Sequence, residues 1–224
     1  MNCPPGMSMP ADEKHTIEAL CQRSRDISLE KGWLNPDGTD PRKPSTVLNL
    51  FVSEISEAFE EYRAHKPLNE IYYEVRGHVL SREERLRSTE PPAADVGAFK
   101  PCGIPIEIAD LVIRICQRVG SAGEGELLQS AFDDHLGAEL DGADFDDLMA
   151  EVTETLAYWY RETITPGVPS DLEHTQAKLF DHLGYALALL FYFAERSEFD
   201  LWAAIDEKEA YNRTRPTRHG NKRC

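Results

Sequence analysis

Two pairs of carboxylates, each three residues apart, are the residues of this chain best suited to chemistry. Glu54 and Glu57 stand in Leu50-Phe51-Val52-Ser53-Glu54-Ile55-Ser56-Glu57-Ala58-Phe59-Glu60-Glu61-Tyr62-Arg63. Glu107 and Asp110 stand in Ile106-Glu107-Ile108-Ala109-Asp110-Leu111-Val112-Ile113-Arg114-Ile115. On a helix, residues three and four apart lie one above the other, so each pair shares a face, with Glu61 continuing the first and Arg114 the second. Two such faces opposed make an all-oxygen site, the ligand set that hard cations such as Mg²⁺ prefer. Without a cation, four clustered carboxylates repel one another. The plainer alternative is that each pair is an ordinary solvated helix face.

Those carboxylates need helices to position them, and the apolar spacing supplies two. Leu48, Phe51, Ile55, Phe59 and Tyr62 recur at intervals of three and four and predict a buried stripe beside Glu54, Glu57 and Glu61. Ile108, Leu111/Val112, Ile115 and Val119 do the same beside Glu107, Asp110 and Arg114. The β-branched content of the second stretch also suits a strand. Its spacing, with carboxylates flanking the apolar line, favours a helix, and Pro105 falls in the first turn, where proline is tolerated. Ser45 or Thr46 is the expected cap of the first carboxylate helix.

Further helices are predicted around these two. Residues 11–31 read as a helix with Asp12 as its cap and Gly32 at its end. Trp33 follows directly, either as a lid on the core or as a flat surface for a base. Residues 35–44 are a loop by their Asn, Pro, Asp and Gly content. Residues 65–100 read as a long, partly ordered excursion with a short helix at 81–87, and long loops of this kind are commonly functional. Residues 120–142 read as an acidic linker punctuated by glycine. Helices follow over 145–162, 172–195 and 198–213.

The helices over 145–162 and 172–195 echo the carboxylate pair. A shift of 97 carries Phe51, Ile55, Phe59 and Tyr62 onto Leu148, Val152, Leu156 and Trp159, and carries Glu54 and Glu57 onto Glu151 and Glu154. In the other helix Asp181 falls on Asp110, but Lys178 falls on Glu107. Two readings stand: a degenerate second helix pair over 143–197, with Lys178 neutralising Glu151 and Glu154, or two acidic amphipathic helices that align by pattern alone. In the last helix Leu201, Ile205, Lys208 and Asn212 share a line, so a lysine continues an apolar stripe. It needs a negative partner, and phosphate oxygens would be one.

The chain has 224 residues, enough for a single domain with a real core. Forty acidic against 24 basic residues, a formal net charge of −16, argue against a general binder of nucleic acid or anionic membranes. The longest apolar run is too short to span a bilayer. The first ten residues have neither the basic stretch nor the apolar core of a signal peptide and are expected to be disordered. Five scattered cysteines, without a Cys-x-x-Cys pair, suit a reduced, cytoplasmic protein. The organisation expected is a disordered 1–10, one all-α domain over 11–215, and a basic tail over 216–224.

Together these motifs resemble the MazG-like nucleotide pyrophosphohydrolases of the all-α NTP pyrophosphatase superfamily. That family carries Glu-Glu-x-x-Glu on one helix and Glu-x-x-Asp on the next. Here the first reads Ser53-Glu54-Ile55-Ser56-Glu57, with Ser53 in place of the leading acid, and the second Glu107-Ile108-Ala109-Asp110. The approach Lys100-Pro101-Cys102-Gly103-Ile104-Pro105-Ile106-Glu107 is similar to the family's Lys-Pro-Glu-Gly-x-Pro-x-Glu, and Lys208-Glu209-Ala210-Tyr211-Asn212 with the following Arg215-Pro216 to its Lys-x-x-Tyr-Asn-x-x-Arg-Pro. Lys31-Gly32-Trp33 also fits. The resemblance spans roughly residues 12–64, 100–120 and 200–223.

The resemblance implies an antiparallel helix bundle that hydrolyses a nucleoside triphosphate to the monophosphate and pyrophosphate. It implies Mg²⁺, with Mn²⁺ as a substitute, held by Glu54, Glu57, Glu107 and Asp110. One of these carboxylates, or Glu61 acting through another group, would take the proton of the attacking water. Lys208 and Asn212 would hold the phosphates, with Arg114 or Arg215 adding charge, and Trp33 would pack on the base. Members are commonly dimers, so a homodimer, or a pseudo-dimer within one chain, is expected. A phosphoribosyl-ATP pyrophosphohydrolase fits the C-terminal signature less well. A di-iron bundle needs Glu-x-x-His pairs, and none of the seven histidines supplies one. The alternative outside catalysis is an inactive helical module that binds nucleotide or a partner protein.

Overall fold

The computed structural model describes residues 13–88, 98–140, 142–164 and 172–217, with side chains in the last segment described from 179. Among these residues the chain is mostly helical, with a small sheet. The helices are α1 (Ile17–Glu30), α2 (Pro44–Arg63), α3 (Arg82–Arg87), α4 (Ile104–Gly120), α5 (Gly125–Asp134), α6 (Phe145–Ile164), α7 (Leu172–Arg196) and α8 (Leu201–Thr214). The strands are β1 (Tyr72–Val75), β2 (His78–Ser81) and β3 (Lys100–Cys102). No helix among the described residues is long and apolar enough to cross a membrane.

The fold is arranged around α4. Apart from Arg114 and Arg118 its residues are buried, since it packs against α1, α2, α5, α7 and α8 in turn. This explains its β-branched composition: a helix enclosed on most sides needs apolar residues nearly all round. Gly103 stands before it with φ 108°, a conformation glycine adopts at little cost, and a Cβ there would meet Glu70 O at 2.4 Å. Pro105 lies in its first turn, as the sequence predicts. Gly120 closes it, and a Cβ at Gly120 would meet the Cys21 carbonyl oxygen at 2.2 Å, so α1 and α4 approach each other closely.

The other helices follow the apolar spacing with local corrections. In α2, Val47, Phe51, Ile55 and Ala58 are buried, whereas Phe59, expected inward, is exposed. Ser45 and Thr46 lie inside its first turn and cap nothing; the helix begins at Pro44, whose missing N–H is one the first turn leaves unpaired anyway. Helix α1 starts later than expected, at Thr16, whose side chain accepts from Ala19 N at 3.1 Å. The expected cap Asp12 lies outside the described residues, as do residues 1–10. Gly32, at φ 73°, follows α1 as anticipated.

Two stretches read as irregular are ordered. Residues 125–134 form α5, which buries Leu128 and Phe132. The excursion over 65–100 contains an antiparallel sheet in the order β2-β1-β3, so the all-α expectation holds only at the coarser level of a mostly helical protein. Tyr72 faces Ser81 on one side and Cys102 on the other. The hairpin turns at Arg76 and Gly77, both with positive φ. The short helix expected at 81–87 is α3, whose cap Ser81 and Glu84 bond reciprocally in a capping box.

The sheet has its own small core of Tyr73, Val75 and Phe99. It is pinned to the bundle at two points. Tyr72 Oη donates to Glu61 on α2 at 2.7 Å. On α8, Glu207 accepts from Tyr73 Oη and, at 2.9 Å, from Arg85 Nη1, whose guanidinium lies over the Tyr73 ring. Because β3 runs through Gly103 straight into α4, these pins also fix the start of α4.

Leu148, Val152, Leu156 and Trp159 of α6 are all buried, and α6 packs on both α2 and α7. Glu151 is half-buried and Glu154 exposed. Asp181 is bound to the His135 ring at 2.8 Å. The side chain of Lys178 lies outside the described residues, as do residues 218–224 of the basic tail.

Candidate metal centre

Helices α2 and α4 bring the two carboxylate pairs to one cleft of about 430 Å³. Glu54, Glu57 and Glu107 can each offer an oxygen within 4.8 Å of the others, the one such acidic group found among the described residues. Glu54 and Glu107 are 2 % and 5 % exposed, and Glu57 is open to solvent. Lone carboxylates are rarely buried, because ionisation in a poorly solvated place is costly. Here burial, reinforced by the charge of Asp110, pushes Glu54 up to about 7 despite Arg114. Burial also pushes Glu107 up to about 7 against the pull of Lys208. One oxygen of Glu107, Oε2, is buried with no hydrogen-bond partner.

Asp110, expected as a fourth ligand, stands outside this triad. Lys208 Nζ lies 3.0 Å from its Oδ2, and Asn212 Nδ2 donates to its Oδ1 at 3.5 Å. Burial opposes its charge, but Lys208 and Arg114 outweigh burial and hold its carboxyl below the ordinary range. Lys208 is 4 % exposed; burial disfavours its charge, yet Asp110 and Glu107 hold it protonated above its usual value. Its Nζ is 3.9 Å from Glu107 Oε2. The buried lysine anticipated on the last helix therefore meets carboxylates from α4.

The remaining candidates divide. Arg114 lines the cleft with its Nε donating to Glu54 Oε1 at 2.6 Å, so it serves first as the counter-ion of a carboxylate. Trp33, half-buried, and Arg215 also line the cleft. Glu61 does not: its Oε1 accepts from Tyr72 of β1 at 2.7 Å. Ser53 donates to Leu50 O at 2.8 Å and lies 3.3 Å from Glu54 Oε1, so it touches the carboxylate next to it.

Three further cations line the cleft: Lys31 and Lys100, which the sequence reading named within motifs but gave no role, and Arg42, which it did not single out. Arg42 sits in the 35–44 loop, where its guanidinium grips buried Asp40 at 2.8 and 2.9 Å, a bidentate pairing that fixes its direction. Lys100 comes from β3. Neither position has periodicity to reveal it, since loop and strand bring it in from outside the helices. Gln117 was also missed, although it continues the α4 face of Glu107, Asp110 and Arg114 at helical spacing.

The arrangement is a mostly helical protein with an acidic triad, a buried lysine and a cationic wall around one cleft. No family model, curated protein or solved structure matches this chain.

Proposed function

We propose that this chain is a MazG-like pyrophosphohydrolase that cleaves a nucleoside triphosphate, ribo or deoxy, to the monophosphate and pyrophosphate with Mg²⁺, or Mn²⁺ in its place. The observation that carries the reading is the triad of Glu54, Glu57 and Glu107 in one cleft with Lys208. The residues fit a hard dication: the ligands are all oxygen, and two are buried where only a cation makes ionisation favourable. Glu107 Oε2 makes no hydrogen bond, with Lys208 Nζ 3.9 Å away, and can still accept a cation. When bound, the cation supplies neutralisation, a polarised phosphate and a more acidic water.

The chain's own residues do the rest. Glu57, the exposed member of the triad, accepts the proton of the water that attacks the α-phosphorus as the bond to the bridging oxygen breaks. Arg114 fixes Glu54, and Lys208 with Asn212 fixes Asp110 beside the triad. Lys208, Arg215, Lys31, Lys100 and Arg42 give the phosphates a positive surround. Trp33 offers the base a flat wall.

The second reading is an inactive module that binds nucleotide or a partner protein. It is favoured by the pairs Arg114–Glu54 and Lys208–Asp110, which neutralise two of the four acids without a metal. Pyrophosphate release from a panel of NTPs and dNTPs, with and without Mg²⁺, separates the two. The expected result is metal-dependent release that falls about a hundredfold or more in Glu57→Gln. No release by the folded protein from any member would leave the second reading.

A further inference from the structure

Besides its carboxylates and cations, the cleft is lined by uncharged polar side chains from α1 and α4. Gln117 is 7 % exposed, lines the cleft, and its side-chain amide makes no hydrogen bond among the described residues. Ser24 and Ser28, one turn apart on α1, line the same cleft and are 1 % and 6 % exposed. The Ser24 hydroxyl is buried with no partner, and that of Ser28 makes no hydrogen bond among the described residues. Buried polar groups are nearly always paired, so the orphaned Ser24 hydroxyl, in a cleft where no protein group pairs the Gln117 amide or the Ser28 hydroxyl, points to a ligand that pairs it. Serines within a helix often bond the carbonyl one turn back; these two do not.

The chemistry of that ligand follows from its surroundings. A primary amide offers one donor and one acceptor in a plane, which matches an edge carrying an acceptor beside a donor. Hydroxyls adapt to either. The neighbouring walls, Ile27, Ile113 and Trp33, are apolar or aromatic and suit the faces of a flat ring.

The register of Gln117 on α4 ties it to the carboxylates. Glu107, Asp110, Arg114 and Gln117 fall on one face of α4 at spacings of three, four and three. Gln117 follows Asp110 by seven positions and the triad's Glu107 by ten, about 15 Å along the helix axis.

We propose that Gln117, with Ser24 and Ser28, forms a nucleobase-reading subsite in which the amide pairs with the donor–acceptor edge of the base. This rests on the nucleotide reading of the cleft but does not require that the cleft be catalytic. Gln117 is then a specificity-determining residue.

The test is calorimetry with the ribonucleosides and purine riboside, which lacks exocyclic groups, on the wild type, Gln117→Leu and Gln117→Glu. Circular dichroism and the Mg²⁺ isotherm serve as checks of folding. Pyrophosphate release from the matching triphosphates, and phosphate release from inorganic tripolyphosphate, are measured beside it. The wild type is expected to bind the preferred nucleoside about tenfold or more tighter than purine riboside. Gln117→Leu loses that preference. Gln117→Glu, which keeps the size but offers only acceptors, reorders the panel toward bases with an exocyclic amine.

Equal nucleoside affinity in the wild type and both folded variants overturns the proposal. So does hydrolysis of triphosphates without base discrimination and with no nucleoside binding, a result that leaves the hydrolytic reading standing. Gln117-dependent nucleoside binding without any pyrophosphate release does the opposite: it upholds the subsite and removes the hydrolase. Absence of both removes both.

Discussion

At Glu54 and Glu107 the fold keeps two carboxylates where burial opposes their charge, and this links stability to pH and, on the proposed reading, to metal. Both sit near 7 in the folded protein, above their ordinary range, so folding takes up protons there. Their contribution to stability is full when both are neutral, below about 4.5, and is lost as pH rises through about 7. Asp110, held below its ordinary range, acts the other way and only at the acid end. Thermal melts without Mg²⁺ should therefore show Tm falling between about pH 5.5 and 8, with Mg²⁺ restoring it increasingly toward the alkaline side. A Tm that responds equally to Mg²⁺ at both ends of that range would place the cation elsewhere. The carboxylates themselves were legible, because i, i+3 acids beside an apolar stripe need only helical periodicity. Gln117 obeys the same periodicity but carries no charge, and an uncharged amide on a helix draws attention only once its burial is known. Glu61 shows the converse: its helical spacing was legible, but its partner Tyr72 comes from a strand invisible to helical periodicity.

Among the elements, the contact between α1 and α4 is the one on which the cleft most depends. It sets Ser24 and Ser28 beside the α4 face and is closed by Gly120, where even a methyl group would overlap the Cys21 backbone. Gly120→Ala should cost about 1–3 kcal/mol, as overpacking in a dense core does. A denaturant melt measures it, and an unchanged midpoint would show that the helices separate without penalty. The major helices α1, α2, α4, α6, α7 and α8 could be read from apolar spacing, because each buries a stripe. The sheet could not. Its strands are three or four residues long, and β1 buries Tyr72, Tyr73 and Val75 around one exposed Glu74, which is no clean alternation. Its hairpin turns on Arg76-Gly77, which lacks the usual Asn or Asp before the glycine. Helix α5 was hidden by the glycines on either side of it, which suggested a linker but mark the ends of a short helix.

Over the whole molecule, charge and burial are distributed unequally. A chain with a formal net charge of −16 gathers six cations, Lys31, Arg42, Lys100, Arg114, Lys208 and Arg215, at one cleft beside five carboxylates, so charge there is close to balanced where the chain as a whole is strongly acidic. The acidic composition was plain from the sequence; this concentration of cations was not, since α1, a loop, β3, α4 and α8 each contribute part of it. Burial is concentrated at α4. The free energy needed to open a segment rises with the structure that must be removed first, and α4 is reached only by displacing the helices around it. In a deuterium-uptake time course its amides should be among the last to exchange, well after those of β2 and α3, whose residues are half-buried or exposed. Early exchange along α4 would contradict a fold built around it. The helix that carries Glu107, Asp110 and Gln117 would then keep its internal spacing while the periphery opens and closes, so any fluctuation of the site is set by what approaches α4 and not by α4 itself.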